Sequence, residues 1–190
     1  MHNSLYHCAF ALIKGEIFLD YVTDPNVPGF FTKRKLRKAI KTFQKVISIN
    51  PRNWNAMFAI AKVHQRLGDM QASFEWLLKA REFAPDNPSL AKETALTAAH
   101  LGTYDKSIEV SIEAISVKPD DPVLHSNLGM SFLLANRPDE AVNSFKEALR
   151  LEPRHPATTR LLSYAKYVQA GHFPVPKSER EIIQNLPRTA

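Results

Sequence analysis

The chain has 190 residues, 44% hydrophobic and 23% charged, with a formal net charge of +6 at pH 7. That length suits one compact domain or one short repeat array, and the apolar share is too high for a disordered chain. A single cysteine, Cys8, excludes an internal disulfide framework and a multi-cysteine zinc site, and it is compatible with a reducing compartment.

The first predicted element is an apolar helix over about 4–21, whose longest uncharged stretch runs from Cys8 to Ile13 and stops at Lys14. That stretch is too short to span a membrane and lacks the basic flank and cleavage signature of a secretory leader. The expected location is therefore cytoplasmic. A turn-rich insertion follows over 22–32, containing Thr23-Asp-Pro-Asn-Val-Pro-Gly29.

A basic helix is predicted next, over about 33–48. Lys33, Arg37, Lys41 and Lys45 stand four apart, flanked by Arg34 and Lys38, so they form one cationic stripe opposite Leu36, Ile40, Phe43 and Ile47. Residues 1–53 hold nine Lys/Arg against three acids, whereas residues 54–190 hold sixteen of each sign. The whole positive excess thus lies in the first quarter. Such a stripe is either a solvated outer face or a surface for an acidic protein, nucleic acid or anionic lipid. No aromatic residues interleave with the cations to stack bases, and the apolar side of the helix is committed to a core. An acidic protein is therefore the least demanding partner, and nucleic acid is not expected.

From here the chain repeats. Pro51, Pro85, Pro119 and Pro153 are spaced 34 residues apart, and each closes a helical run. Twelve residues before them stand Ala39, Ser73, Ser107 and Ala141; five before, Val46, Ala80, Ala114 and Ala148; eight before, Phe43, Leu77, Ser111 and Phe145. Small residues let helix backbones approach, and the large one fills the space between neighbouring repeats. Between paired helices, Gly68 and Gly102 predict left-handed caps, and Asn136-Arg137-Pro138 does the same in the last copy.

These residues resemble the tetratricopeptide repeat, most clearly in 122–155, which keeps Leu128-Gly129, Phe132, Ala141, Phe145, Ala148 and Pro153 in register. The resemblance implies an all-α, right-handed superhelical solenoid of antiparallel helix pairs. Residues 1–53 make a divergent first pair, and three complete repeats cover 54–87, 88–121 and 122–155. Residues 156–172 hold the unpaired helix of a fifth repeat. The tail, 173–190, carries a short helix at about 178–186, where Ser178-Glu-Arg-Glu181 reads as a capping box ahead of Ile182, Ile183 and Leu186. That helix is expected to cap the stack; the alternative is that it folds into the groove.

The resemblance further implies a non-catalytic scaffold that holds a partner peptide or helix in a concave groove lined by the first helices. Counted by analogy, the groove positions are Asn55, Phe58, Lys62 and Arg66, then Lys92, Glu93, Leu96 and His100. Asn127, Met130 and Leu134 follow, and finally Tyr164. This surface is cationic early and apolar late, which suits an amphipathic peptide with acidic residues. The family's clamp for a C-terminal carboxylate is not expected, because Leu96, Ala157 and Leu161 stand where its polar donors belong. Two alternatives stay open: a binder of acidic surfaces through 33–45, and a component of a larger assembly machine.

An enzyme is not expected. The seven histidines include no pair at the i, i+4 spacing of a helical metal site, and His7 and Cys8, as helix neighbours, point apart. No glycine-rich phosphate loop occurs, so neither a cofactor nor a metal is predicted. His64 is expected to be a packed core histidine, and His100 to face the groove.

Overall fold

Prolines spaced 34 residues apart set the architecture, because each stands two residues beyond the end of a helix and cannot continue it. The computed structural model describes residues 30–186, whose regular structure is entirely α-helical. Helix α1 (Phe30–Ile49) ends before Pro51, and the pair α2 (Trp54–Leu67) and α3 (Met70–Phe83) ends before Pro85. The pair α4 (Pro88–His100) and α5 (Tyr104–Val117) ends before Pro119, and α6 (Pro122–Leu134) with α7 (Pro138–Leu151) before Pro153. Helix α8 (Pro156–Gln169) is followed by the short α9 (Glu179–Asn185). Because α1 begins at Phe30, the last three residues of the expected insertion are helical. The rest of that insertion, the expected helix at 4–21 and Cys8 lie outside the described residues.

The helix starts repeat as faithfully as the ends. Two residues after each periodic proline a side chain caps the next helix. Asn53 accepts from the Ala56 N–H and Asn87 from the Leu90 N–H, both at 3.0 Å. Asp121 accepts from the Val123 N–H at 3.0 Å, and His155 Nδ1 from the Thr158 N–H at 3.2 Å. Each cap satisfies an amide that has no partner in its own helix, worth about 1 kcal/mol. Pro88, Pro122 and Pro156 then occupy the first helical turn, where a fixed φ helps and a missing N–H costs nothing. At the turns within pairs, Gly68 (φ 80°), Gly102 (φ 75°) and Asn136 (φ 59°) stand 34 apart in the left-handed region, as expected.

The chain divides into two compact units between Pro85 and Asp86. In the first, Leu36, Phe43 and Val46 of α1 share a core with Ala56, Ile60 and Val63 of α2, and Trp76 of α3 packs against it. In the second, consecutive helices from α4 to α8 pack in sequence, and α6 also touches α4 and α8. Within this unit the first helices α4, α6 and α8 thus form one layer. Close packing within the pair α6/α7 depends on Gly129: a Cβ there would meet the Phe145 ring at 2.7 Å. At the twin positions Ala61 and Ala95, the twins of Phe145 are the smaller Leu77 and Ser111, so bulk on one helix is exchanged for bulk on the other. Between α5 and α6, buried Ser107 donates to the Ala95 carbonyl and lies 2.8 Å from Ser131 Oγ, which satisfies both hydroxyls.

Candidate functional site: the first-helix face

Side chains on the first-helix layer that do not face a paired second helix form a separate surface. In the second unit this surface carries Lys92, Glu93 and Leu96, half-buried, and His100, exposed. Asn127 and Met130 follow on α6, also half-buried. Leu134 and Tyr164, expected to line an open groove, are instead buried, with Tyr164 only 1% exposed. Asn55 and Lys62 are exposed on α2, with Phe58 and Arg66 half-buried, and these four belong to the first unit.

Tyr164 is buried because the tail lies on it. Gly171 (φ 74°) ends α8 and the His172 N–H returns to the Tyr167 carbonyl at 2.9 Å. The ring of Phe173 then sits 5.6 Å from that of Tyr164 and 5.3 Å from that of Tyr167. The chain continues through half-buried Val175 and buried Pro176 to Lys177, whose carbonyl accepts from the Tyr104 hydroxyl on α5 at 3.3 Å. Ser178 caps α9 by accepting from the Glu181 N–H at 3.2 Å. The Glu181 carboxylate reaches back to the N–H of Lys177, at 2.9 Å, one residue before the position a capping box would use. Ile182 is wholly buried in the cluster that holds Leu134, Leu161 and Tyr164, and Leu186 packs on the same cluster. The Leu186 carbonyl also accepts from the Arg160 guanidinium at 3.5 Å. Burial lifts the Tyr164 phenol above its ordinary range; the Glu181 carboxylate adds to the lift and a hydrogen bond with Asn185 opposes it. Complete burial of an isoleucine such as Ile182 is worth about 1.5–3 kcal/mol. Ile183, grouped with Ile182 in the sequence, is 62% exposed.

Elsewhere the expected features divide. Arg34, Arg37, Lys38, Lys41 and Lys45 are exposed on α1, Lys33 is half-buried, and Lys35 is a further exposed cation that the four-residue spacing passes over. His64 is half-buried, its Nδ1 3.4 Å from a carboxylate oxygen of Asp69. His155, one of the scattered histidines, is the cap of α8; its 34-residue phase with Asn53, Asn87 and Asp121 was the available signal. At Asp121, burial pushes the carboxyl up, but Lys118 and the N–H groups of Val123 and Leu124 outweigh it and hold the group below its ordinary value. Exposed pairs at α7, Arg137–Glu140 at its start and Arg150–Glu147 near its end, both at 2.8 Å, contribute little to stability. Among the described residues no group of three or more His, Cys, Asp or Glu could hold a metal ion, and no helix is long and apolar enough to cross a membrane.

Comparison with known proteins agrees with this geometry. Tetratricopeptide-repeat family models match residues 28–88 and 122–155. No curated protein matches in sequence. Among solved structures, MamA from Desulfovibrio magneticus RS-1 superposes with a TM-score of 0.67 at 12% identity, covering 79% of this chain and 85% of that one. Pseudomonas aeruginosa PilF gives 0.65 at 18% identity, over 98% and 80%. A Thermobaculum terrenum O-GlcNAc transferase gives 0.54 at 24% identity, over 60% of this chain and 22% of that one. Likeness at these identities establishes the fold alone. With the 34-residue phase of prolines, caps and packing residues, and with two family models matched, the chain belongs to the tetratricopeptide-repeat family.

Proposed function

We propose that the chain is a non-catalytic interaction scaffold whose second unit holds an amphipathic segment of a partner protein on the face made by α4, α6 and α8. One observation carries this reading: Tyr164, on this face, already has a peptide segment, the chain's own tail, lying against it, in the apolar cluster that also holds Leu134. Lys92, Glu93, Leu96, His100 and Asn127 continue that face and would recognise the polar part of a partner, where charge-assisted hydrogen bonds fix register and apolar anchors supply most of the affinity. On the first unit, Asn55, Phe58, Lys62 and Arg66 would serve as a separate contact set on α2. A single cysteine suits work in a reducing compartment such as the cytoplasm.

The test is quantitative capture from native lysate with the wild type, with Leu96→Glu/Met130→Glu, and with Lys33→Glu/Arg37→Glu/Lys41→Glu. A partner lost by the first variant and kept by the second supports the first-helix face. A partner lost by the second alone moves the working surface to α1. That second reading, binding of an acidic protein through α1, is favoured by the row of exposed cations there. It predicts affinity that falls steeply with salt.

A further inference from the structure

Helix α8 has two sides that a following element could cover. In α6, Gly129 and Phe132 occupy the register that meets a second helix, and one repeat later Ser163 and Lys166 hold it, half-buried and exposed. The tail does not go there. It covers Arg160, Leu161 and Tyr164, which by the same count belong to the partner-facing side. From this placement we infer that residues 173–186 are a displaceable, built-in occupant of the partner seat. They hold in cis the place that an amphipathic helix of the same pattern takes in trans. The inference rests on the scaffold reading above and adds to it a regulator and a ligand pattern.

Three features make the segment a plug and not a permanent part of the core. Helix α9 has seven residues, too few to persist unless docked. Its docked side is narrow: Ile182 is buried and Leu186 half-buried, while Ile183, Gln184 and Asn185 are exposed. And it hangs from an arm, Phe173-Pro-Val-Pro176, that leaves α8 through a left-handed glycine, so it can leave without disturbing any helix pair. The pattern to be matched is an extended arm with an aromatic and an aliphatic residue, then an N-capped helix with apolar residues four apart, as Ile182 and Leu186 are. A short tether gives the tail an effective concentration of about millimolar, so a partner segment must either exceed the tail's own affinity or be joined by an event that frees it.

The experiment uses the full chain and a labelled synthetic peptide of residues 172–190. The variant Ile182→Asp/Leu186→Asp, whose own tail is undocked, should bind the peptide at least ten-fold tighter than the wild type does. The same peptide carrying both aspartates should not bind. Adding Tyr164→Ala to the variant should weaken binding at least ten-fold. Absence of binding to a variant that still melts cooperatively overturns the inference, as does equal binding to wild type and variant. Hydrogen exchange on the unmodified chain decides the matter independently of any substitution. Amides of α9 should exchange far faster than those of α8, and exchange of both only in global unfolding would make the tail core. Because the probe is the tail itself, these outcomes stand whether or not the lysate experiment yields a partner.

Discussion

The pair α6/α7 and the lone α8 with its tail use almost the same register for opposite ends. In the pair, a glycine opposite Phe145 lets two helices close against each other, and the result is a permanent joint. In α8 the corresponding Ser163 and Lys166 are half-buried and exposed, so that side is tolerant of water. On its other side Leu161 and Tyr164 share an apolar cluster with Ile182 of the tail. The two sides of α8 therefore differ in kind: one carries polar residues in the repeat register, and the other is occupied by a segment outside the repeat.

Substitutions can break this contrast in order of size. Phe145→Ala should cost about 3–5 kcal/mol in chemical denaturation, because the ring is fully buried between helices. Phe173→Ala, removing a ring that is 38% exposed, should leave the global transition nearly unchanged. Gly129→Val should cost about 1–3 kcal/mol from overpacking against Phe145, whereas Ser163→Val at the twin position should be within about 0.5 kcal/mol of wild type. A large loss at Ser163 would mean that this side of α8 is covered after all. Gly102→Ala, at φ 75° with open space around the added carbon, should cost about 1 kcal/mol through the backbone alone.

The smallest effect concerns pH. The phenol of Tyr164 is raised in the docked state, so docking is fully supported below the ordinary tyrosine value of about 10 and weakens as pH climbs through the raised value. In an ultraviolet titration the step that Tyr164→Phe removes should lie above the ordinary tyrosine value in the wild type and move down toward that value when the tail is undocked. A wild type without such a raised step would place Tyr164 in water.

The repeat was legible because its constraints recur in phase. Pro51, Pro85, Pro119 and Pro153 mark helix ends, and Ala39, Ser73, Ser107 and Ala141 mark close approaches, so each copy confirms the others. The cap ladder recurs at the same period but uses three residue types, Asn, Asp and His, and chemical variety hid it; His155 in isolation says nothing. The candidate site was less legible for a different reason. The position of Tyr164 follows from the repeat, but its burial depends on residues 173–186, which obey no period and whose docking is decided by tertiary contacts. Sequence could show that Ser178 starts a helix and that Ile182 is apolar. It could not show which side of α8 that helix would choose, because the repeat register expects the next helix beside Ser163 and Lys166 whereas the apolar Leu161 and Tyr164 lie on the other side.

The most direct test of that choice is hydroxyl-radical footprinting of the folded full chain, read at Tyr164 and Tyr167. With the tail on the partner-facing side, Tyr164 is protected and Tyr167 is labelled in the wild type, as their 1% and 46% exposures require. Ile182→Asp should then bring Tyr164 up to the level of Tyr167. If Tyr164 is labelled as strongly as Tyr167 in the wild type, the tail does not lie where it is described here, and the account of the plugged seat is wrong.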